Sequence, residues 1–162
     1  MDGLIFGMAS LKFKDKVIGL ISEEGLQPAG TAPSTTDIYA AQLKDGPAIT
    51  LTTNPGKKAF SCTLIELDAE NLVNVIGGTK DENGNWEPPE KWEDTGVMDV
   101  VADSGHTLRF FNAKVTGNDF ANGINSSNVL GLSLNIELLK DASGKRMKLF
   151  AKGQDPDASP AG

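Results

Sequence analysis

From Val129 to Leu138 apolar and polar residues alternate, with Leu130, Leu132, Leu134, Ile136 and Leu138 on one side of an extended chain and Gly131, Ser133, Asn135 and Glu137 on the other. A period of two predicts a strand with one face in a core and the other in water. The same period follows Lys58, where Phe60, Cys62 and Leu64 share one face and Ala59, Ser61 and Thr63 the other. Further strands are predicted over 16–21, 36–43, 49–53, 97–101, 107–115 and 145–152. Turn signals divide them: Asp45-Gly46, Asn54-Pro55-Gly56, Asp103-Ser104-Gly105 and the run from Asp141 to Gly144. Strands that follow one another through such turns are expected to pair antiparallel.

One segment changes period. From Asp68 to Gly78 the pattern is helical, which predicts a helix over about 68–77: Asp68 caps the free amides of the first turn, Glu70 favours the positive end of the dipole, and Gly77 or Gly78 supplies a left-handed terminus. Leu72, Val73 and Ile76 are expected on the face that lies on a sheet. Two stretches have no period. The segment from Ser22 to Ser34, with Pro28, Pro33, Gly25 and Gly30, reads as a long loop, and loops of that length in compact domains commonly bind something. Asp81 to Glu90 reads as an exposed, turn-rich connection. The expected fold class is mostly β: an antiparallel β-sandwich or barrel with one flanking short α-helix. An amino-terminal arm is expected over 1–15, the β domain over 16–152 and a flexible tail over 153–162.

Composition narrows the chemistry. A chain of 162 residues with 39% hydrophobic and 23% charged positions fills one core, and 18 glycines with 8 prolines suit strands and turns. Its formal charge of −7 opposes docking on phosphates or anionic lipid. The single cysteine, Cys62, excludes an intrachain disulfide and reads as a small core residue. One histidine, His106, leaves little for an imidazole metal cage. The start carries an acid, Asp2, where an export signal carries a base, and no apolar run approaches a membrane span, so synthesis and folding in the cytoplasm are expected, with no membrane partner.

Candidate reactive groups are few. Asp103-Ser104-Gly105-His106 holds the residue types of an acyl-transfer triad, but triads assemble from separate segments, and these four fall in a predicted turn. The acids Asp81, Glu82, Glu87, Glu90, Glu93 and Asp94 lack the spacing of a calcium loop. Gly77-Gly78 follows a helix, the wrong end to cradle a phosphate. Trp86 and Trp92 could stack a ligand, though aromatic residues more commonly anchor a loop on its own or a neighbouring subunit. No catalytic, metal-ligating or cofactor-binding residue is assigned.

Three stretches, in this order and spacing, resemble the major tail tube proteins of long, non-contractile-tailed bacteriophages. They are Gly19-Leu20-Ile21-Ser22-Glu23-Glu24-Gly25-Leu26; the run from Phe60 through Leu72 to Ile76-Gly77-Gly78; and Phe111-Asn112-Ala113-Lys114-Val115, followed by the strand from Val129 to Lys140 and the turn Asp141-Ala142-Ser143-Gly144-Lys145. The resemblance spans about residues 16 to 150. It implies a β-sandwich or barrel with a flanking helix, of the tube fold also found in contractile tails and type VI secretion. Its copies would assemble into hexameric rings stacked as the conduit for genome delivery. The implied partners are other copies of the chain and the tape-measure, terminator and initiator proteins of a tail. DNA would be met only in transit, without specific nucleic-acid binding, and the implied location is the virion. Ring-stacking candidates are Glu23, Glu24, Gly25, Leu26, Gln27 and Pro28 in the long loop, and Asn54, Pro55 and Gly56 in a hairpin turn. Candidates for a polar, lumen-directed face are Ser61, Thr63, Ser133, Asn135 and Glu137, where acidic or neutral groups would let a polyanion pass without adhesion. A rival from another class is a stand-alone β-sandwich that binds a small molecule or carbohydrate on Trp86 and Trp92. A third is a β-fold hydrolase built on His106.

Overall fold

The alternation at Leu132, Leu134 and Ile136 is answered residue for residue by Leu64, Cys62 and Phe60 on a neighbouring strand. The computed structural model, which describes residues 3–156, carries this pairing through twelve strands and one helix. The strands are β1 (Ser10–Phe13), β2 (Lys16–Val17), β3 (Gln27–Pro28), β4 (Ser34–Ile38), β5 (Ile49–Asn54), β6 (Ala59–Leu64), β7 (Thr79–Lys80), β8 (Trp86–Glu87), β9 (Glu93–Val101), β10 (Thr107–Ala121), β11 (Gly131–Leu139) and β12 (Met147–Phe150). The helix, α1, spans Ala69–Ile76. The fold is mostly β and antiparallel, with a sandwich-like core and one short helix.

Eight strands form the main sheet in the order β2-β1-β9-β10-β11-β6-β3, with β12 added on β10. β10 is its axis. Its first residues, Thr107 to Phe110, lie between β9 and β12, and its later ones pair with β11 out to Ala121. Register shifts between Phe110 and Ala113 and between Gly117 and Asp119 each insert one extra residue. Such bulges bend a strand and raise its twist, which lets one sheet curl over a single core. The two ends of the sheet then fall to one stretch of chain. Lys16 and Val17 pair with β1, and the residues that follow cross to β6 through Ile21 opposite Leu64, Gln27 opposite Ser61 and Thr31 opposite Lys57.

The enclosed core holds Leu11, Phe13, Ile18, Leu64, Met98, Phe110, Val115, Leu132, Leu134 and Ile136, all essentially without solvent contact. Phe60 stacks on Phe110 with ring centroids 5.5 Å apart. Asp68 caps α1 by accepting from Asn71 N–H at 3.0 Å, and Gly77, at φ +87°, ends it. The buried face of the helix is Leu72, Val75 and Ile76. Val75 replaces the expected Val73 because spacings of three and four, not one, keep side chains on one stripe. Asn74 Nδ2 ties the helix to β1 through the Phe13 carbonyl at 3.0 Å.

Four expectations change. Ser10–Phe13, expected in an amino-terminal arm, is a core strand, since Leu11 and Phe13 alternate with Ser10 and Lys12 over too short a run to stand out. The predicted loop from Ser22 to Pro33 is not free: Ser22 N–H donates to the Thr63 carbonyl and Ala29 N–H to the Ala59 carbonyl, so it lies along β6. Asn54-Pro55-Gly56 is no hairpin turn, because β5 pairs back with β4 and β6 with β11. The connection from Asp81 to Glu90 includes β8, paired with β7. The predicted tail beyond Pro156 lies outside the described residues; within them, Arg109 Nη1 donates to the Pro156 carbonyl at 3.2 Å. Arg109 also grips Asp99 through two bonds of 2.8 and 2.9 Å on the adjacent strand, a pair the sequence pattern did not single out.

The β1–β2 connection is a two-residue turn in which Lys14 and Asp15 both have positive φ, 54° and 67°. Turns of this kind favour glycine at the second position. Asp15→Gly is therefore expected to raise stability by roughly 1 kcal/mol, read as a higher urea midpoint at unchanged slope. Phe110→Ala, which empties the centre of the core, is expected to cost about 3–5 kcal/mol in the same measurement.

Candidate functional site

β4 and β5 form a ribbon outside the main sheet. Thr36 opposes Leu51 and Ile38 opposes Ile49, while Thr35 opposes Thr52 and Asp37 opposes Thr50. Because side chains of directly opposed residues share a face, the ribbon has an apolar side (Thr36, Leu51, Ile38, Ile49) and a polar side (Thr35, Thr52, Asp37, Thr50). Thr50 Oγ1 donates to Asp37 Oδ1 at 2.8 Å on the polar side. Every residue of both strands is exposed. Ile38, Ile49 and Leu51 are 43%, 50% and 44% exposed, and Tyr39 and Leu43 beyond them 69% and 53%. Among the described residues nothing buries this apolar side.

The base of this ribbon is held firmly. Thr31 and Lys57 exchange two backbone hydrogen bonds of 3.0 Å, and Asn54 Oδ1 accepts from Gly56 N–H at 2.9 Å. Gly56 sits at φ +80°, where a β-carbon would lie 2.5 Å from the Thr31 carbonyl oxygen, so only glycine fits. Asn54, Pro55 and Gly56 thus anchor the arm at its root.

The predicted lumen residues come together on one face. Ser133 opposes Thr63, Asn135 opposes Ser61, and Glu137 lies between Ala59 and Lys114. Gln27 flanks Ser61 on the other side. A shallow cleft is lined by Ser22, Glu24, Gly25, Gln27, Ser61, Cys62, Thr63 and Ser133, so part of the predicted stacking segment borders the predicted lumen face. Glu24 accepts from Ser22 Oγ at 3.0 Å, and its carbonyl takes the Gln27 amide. Glu23 and Pro28 are exposed, whereas Leu26 packs on the core. No lysine or arginine lines this cleft.

A second unpaired feature is the edge at β12. Its only ladder partner among the described residues is β10, and Met147 and Leu149 remain 44% and 50% exposed. At the amino-terminal end Leu4, Ile5 and Phe6 are also largely exposed.

The polar groups that suggest chemistry are otherwise engaged. Ser104 Oγ and His106 Nδ1 lie 2.9 Å apart, but both residues are buried, and the Phe6 N–H donates to the same hydroxyl at 3.4 Å. Trp86 Nε1 donates to the Gly77 carbonyl at 2.9 Å, and Trp86, Trp92 and Phe120 meet edge to face at 73° and 78°. That arrangement clamps the helix terminus and does not make a coplanar stacking platform. Asp81 and Asp141 each cap a turn. Bonds from Asn85 hold the Asp81 carboxyl below the usual range, and the Ser143 hydroxyl, then the Lys145 amide, do the same for Asp141. Among the described residues no three histidine, cysteine, aspartate or glutamate side chains converge on a cation-sized site.

Burial pushes the Cys62 thiol up to about 12. A thiol needs its thiolate to react, so Cys62 is expected to resist a disulfide reagent in the folded protein at pH ~8 and to react fully in denaturant; fast modification of the folded chain would contradict its burial.

No protein-family model matches the chain, and no curated protein is found to be similar to it.

Proposed function

We propose that the protein is a self-assembling structural subunit of the tail-tube kind, whose copies join into rings and stack into a conduit. The observation that carries this reading is the arm of β4 and β5. An isolated two-stranded ribbon is at best marginally stable in water, and this one leaves its apolar side exposed. Covering Ile38, Tyr39, Leu43, Ile49 and Leu51, which are 43–69% exposed, is worth about 1 kcal/mol apiece. A ring repeats that gain at every subunit. The outer edge of β12 supports the same reading, because a strand paired on one side only among the described residues, with Met147 and Leu149 exposed, is a template for a strand of a neighbour.

Ser61, Thr63, Ser133 and Asn135 are uncharged and continue into Gln27 and Glu24, while Glu137 at the other end of the face is offset by Lys114 opposite it. Such a surface suits a wall past which a polyanion moves without sticking. The stacking role passes in this reading from Asn54-Pro55-Gly56 to the arm these residues anchor.

Concentrated protein is expected to show rings or tubes by negative-stain microscopy and a matching mass by light scattering. Ile38→Asp with Ile49→Lys, which sets opposite charges across the ribbon, should abolish assembly while shifting monomer stability by no more than about 0.5 kcal/mol, since both sites are on the surface. A wild-type chain that stays monomeric at high concentration sinks the proposal.

A further inference from the structure

Two Asn-Gly pairs lie in exposed connections, Asn83-Gly84 and Asn122-Gly123. Glycine after asparagine leaves the following amide nitrogen without a β-carbon to shield it, so in an unfolded chain the two pairs are chemically alike. The fold makes them different. In the turn between β7 and β8, Asp81 Oδ1 accepts from Asn83 N–H at 2.9 Å, and Gly84 N–H donates to the Asp81 carbonyl at 3.1 Å. The nitrogen of that pair is already engaged.

Asn122 and Gly123 follow β10, and both have φ of +70°. Both are exposed. Among the described residues no acceptor takes the Gly123 N–H and no partner holds the Asn122 side-chain amide; the bond made at this pair is from Asn125 Nδ2 to the Asn122 carbonyl at 3.2 Å. Asn125 itself is restrained, since its Oδ1 accepts from Ser127 N–H and Asn128 N–H, each at 2.9 Å.

We propose that Asn122 is a spontaneous deamidation site, and that the turn at Asp81 protects Asn83 from the same reaction. The Gly123 nitrogen gives its proton to solvent base and attacks Asn122 Cγ. The new C–N bond closes a five-membered imide, and the side-chain nitrogen leaves as ammonia with a proton from solvent. Water then opens either imide C–N bond, giving aspartate or isoaspartate at position 122; no electron transfer is involved. Each event makes the chain one charge more negative. The isoaspartyl form also lengthens the backbone next to Ala121, the last β10 residue paired with β11.

The test follows the full chain over days at mildly alkaline pH, folded in buffer and unfolded in concentrated urea, by peptide mapping that separates aspartyl from isoaspartyl products. In the folded protein the gain of about one mass unit at Asn122 is expected to run roughly tenfold or more ahead of that at Asn83, the factor that one ordinary hydrogen bond supplies. In urea the two rates should converge. Equal rates in the folded protein, a faster Asn83, or an Asn122 that reacts only in urea would each overturn the proposal.

Discussion

The backbone of β10 has to be satisfied along fifteen residues, and the rest of the molecule is arranged around that requirement. β9 supplies partners along one side; β12 and then β11 supply them along the other. A flat sheet of this width could not cover both ends of one core. The extra residues at the two register shifts solve this by bending β10, so that Phe110 and Val115 point into the same interior as Leu132 and Leu64. Gly117 fits the same geometry: a β-carbon there would lie 3.3–3.4 Å from Ile76 and Trp92, where strand, helix and aromatic clamp meet.

Once the sheet curls, its ends meet along the chain from Lys16 to Thr31. This explains why a segment rich in proline and glycine is pinned against β6. It also explains where apolar surface remains. The core consumes the inward faces of β1, β6, β9, β10 and β11, but among the described residues the ribbon of β4 and β5 beyond the Thr31–Lys57 bridge stays exposed on both strands. A folded chain that buries a stacked Phe60–Phe110 pair yet leaves Ile38, Ile49 and Leu51 in water separates two tasks. The interior specifies the fold; the exposed apolar face holds free energy of burial that the core does not use. The groups with reactive names contrast with this, since Cys62, Ser104 and His106 are packed inside and Trp86 is committed to the end of α1.

What sequence alone decided is the part governed by local periodicity. Alternation marked β6 and β11 and their inward residues. Asp68 and Gly77 bounded the helix because capping depends on residues three or four positions apart. The five polar residues from Ser61 to Glu137 could be assigned to one kind of face for the same reason, and the register places them side by side. What only the tertiary structure decided is which strand pairs with which. Backbone hydrogen bonding is the same for every residue, so nothing in the spelling of Asn54-Pro55-Gly56 distinguishes the turn of a hairpin from the root of an arm. Nothing local showed that Ser10–Phe13 belongs beside β9, some ninety positions away. The exposure of Ile38 and Leu51 was hidden for a related reason: an amphipathic strand reads the same whether its apolar side meets a core or faces solvent, and only the completed packing shows that in this chain the core is already full.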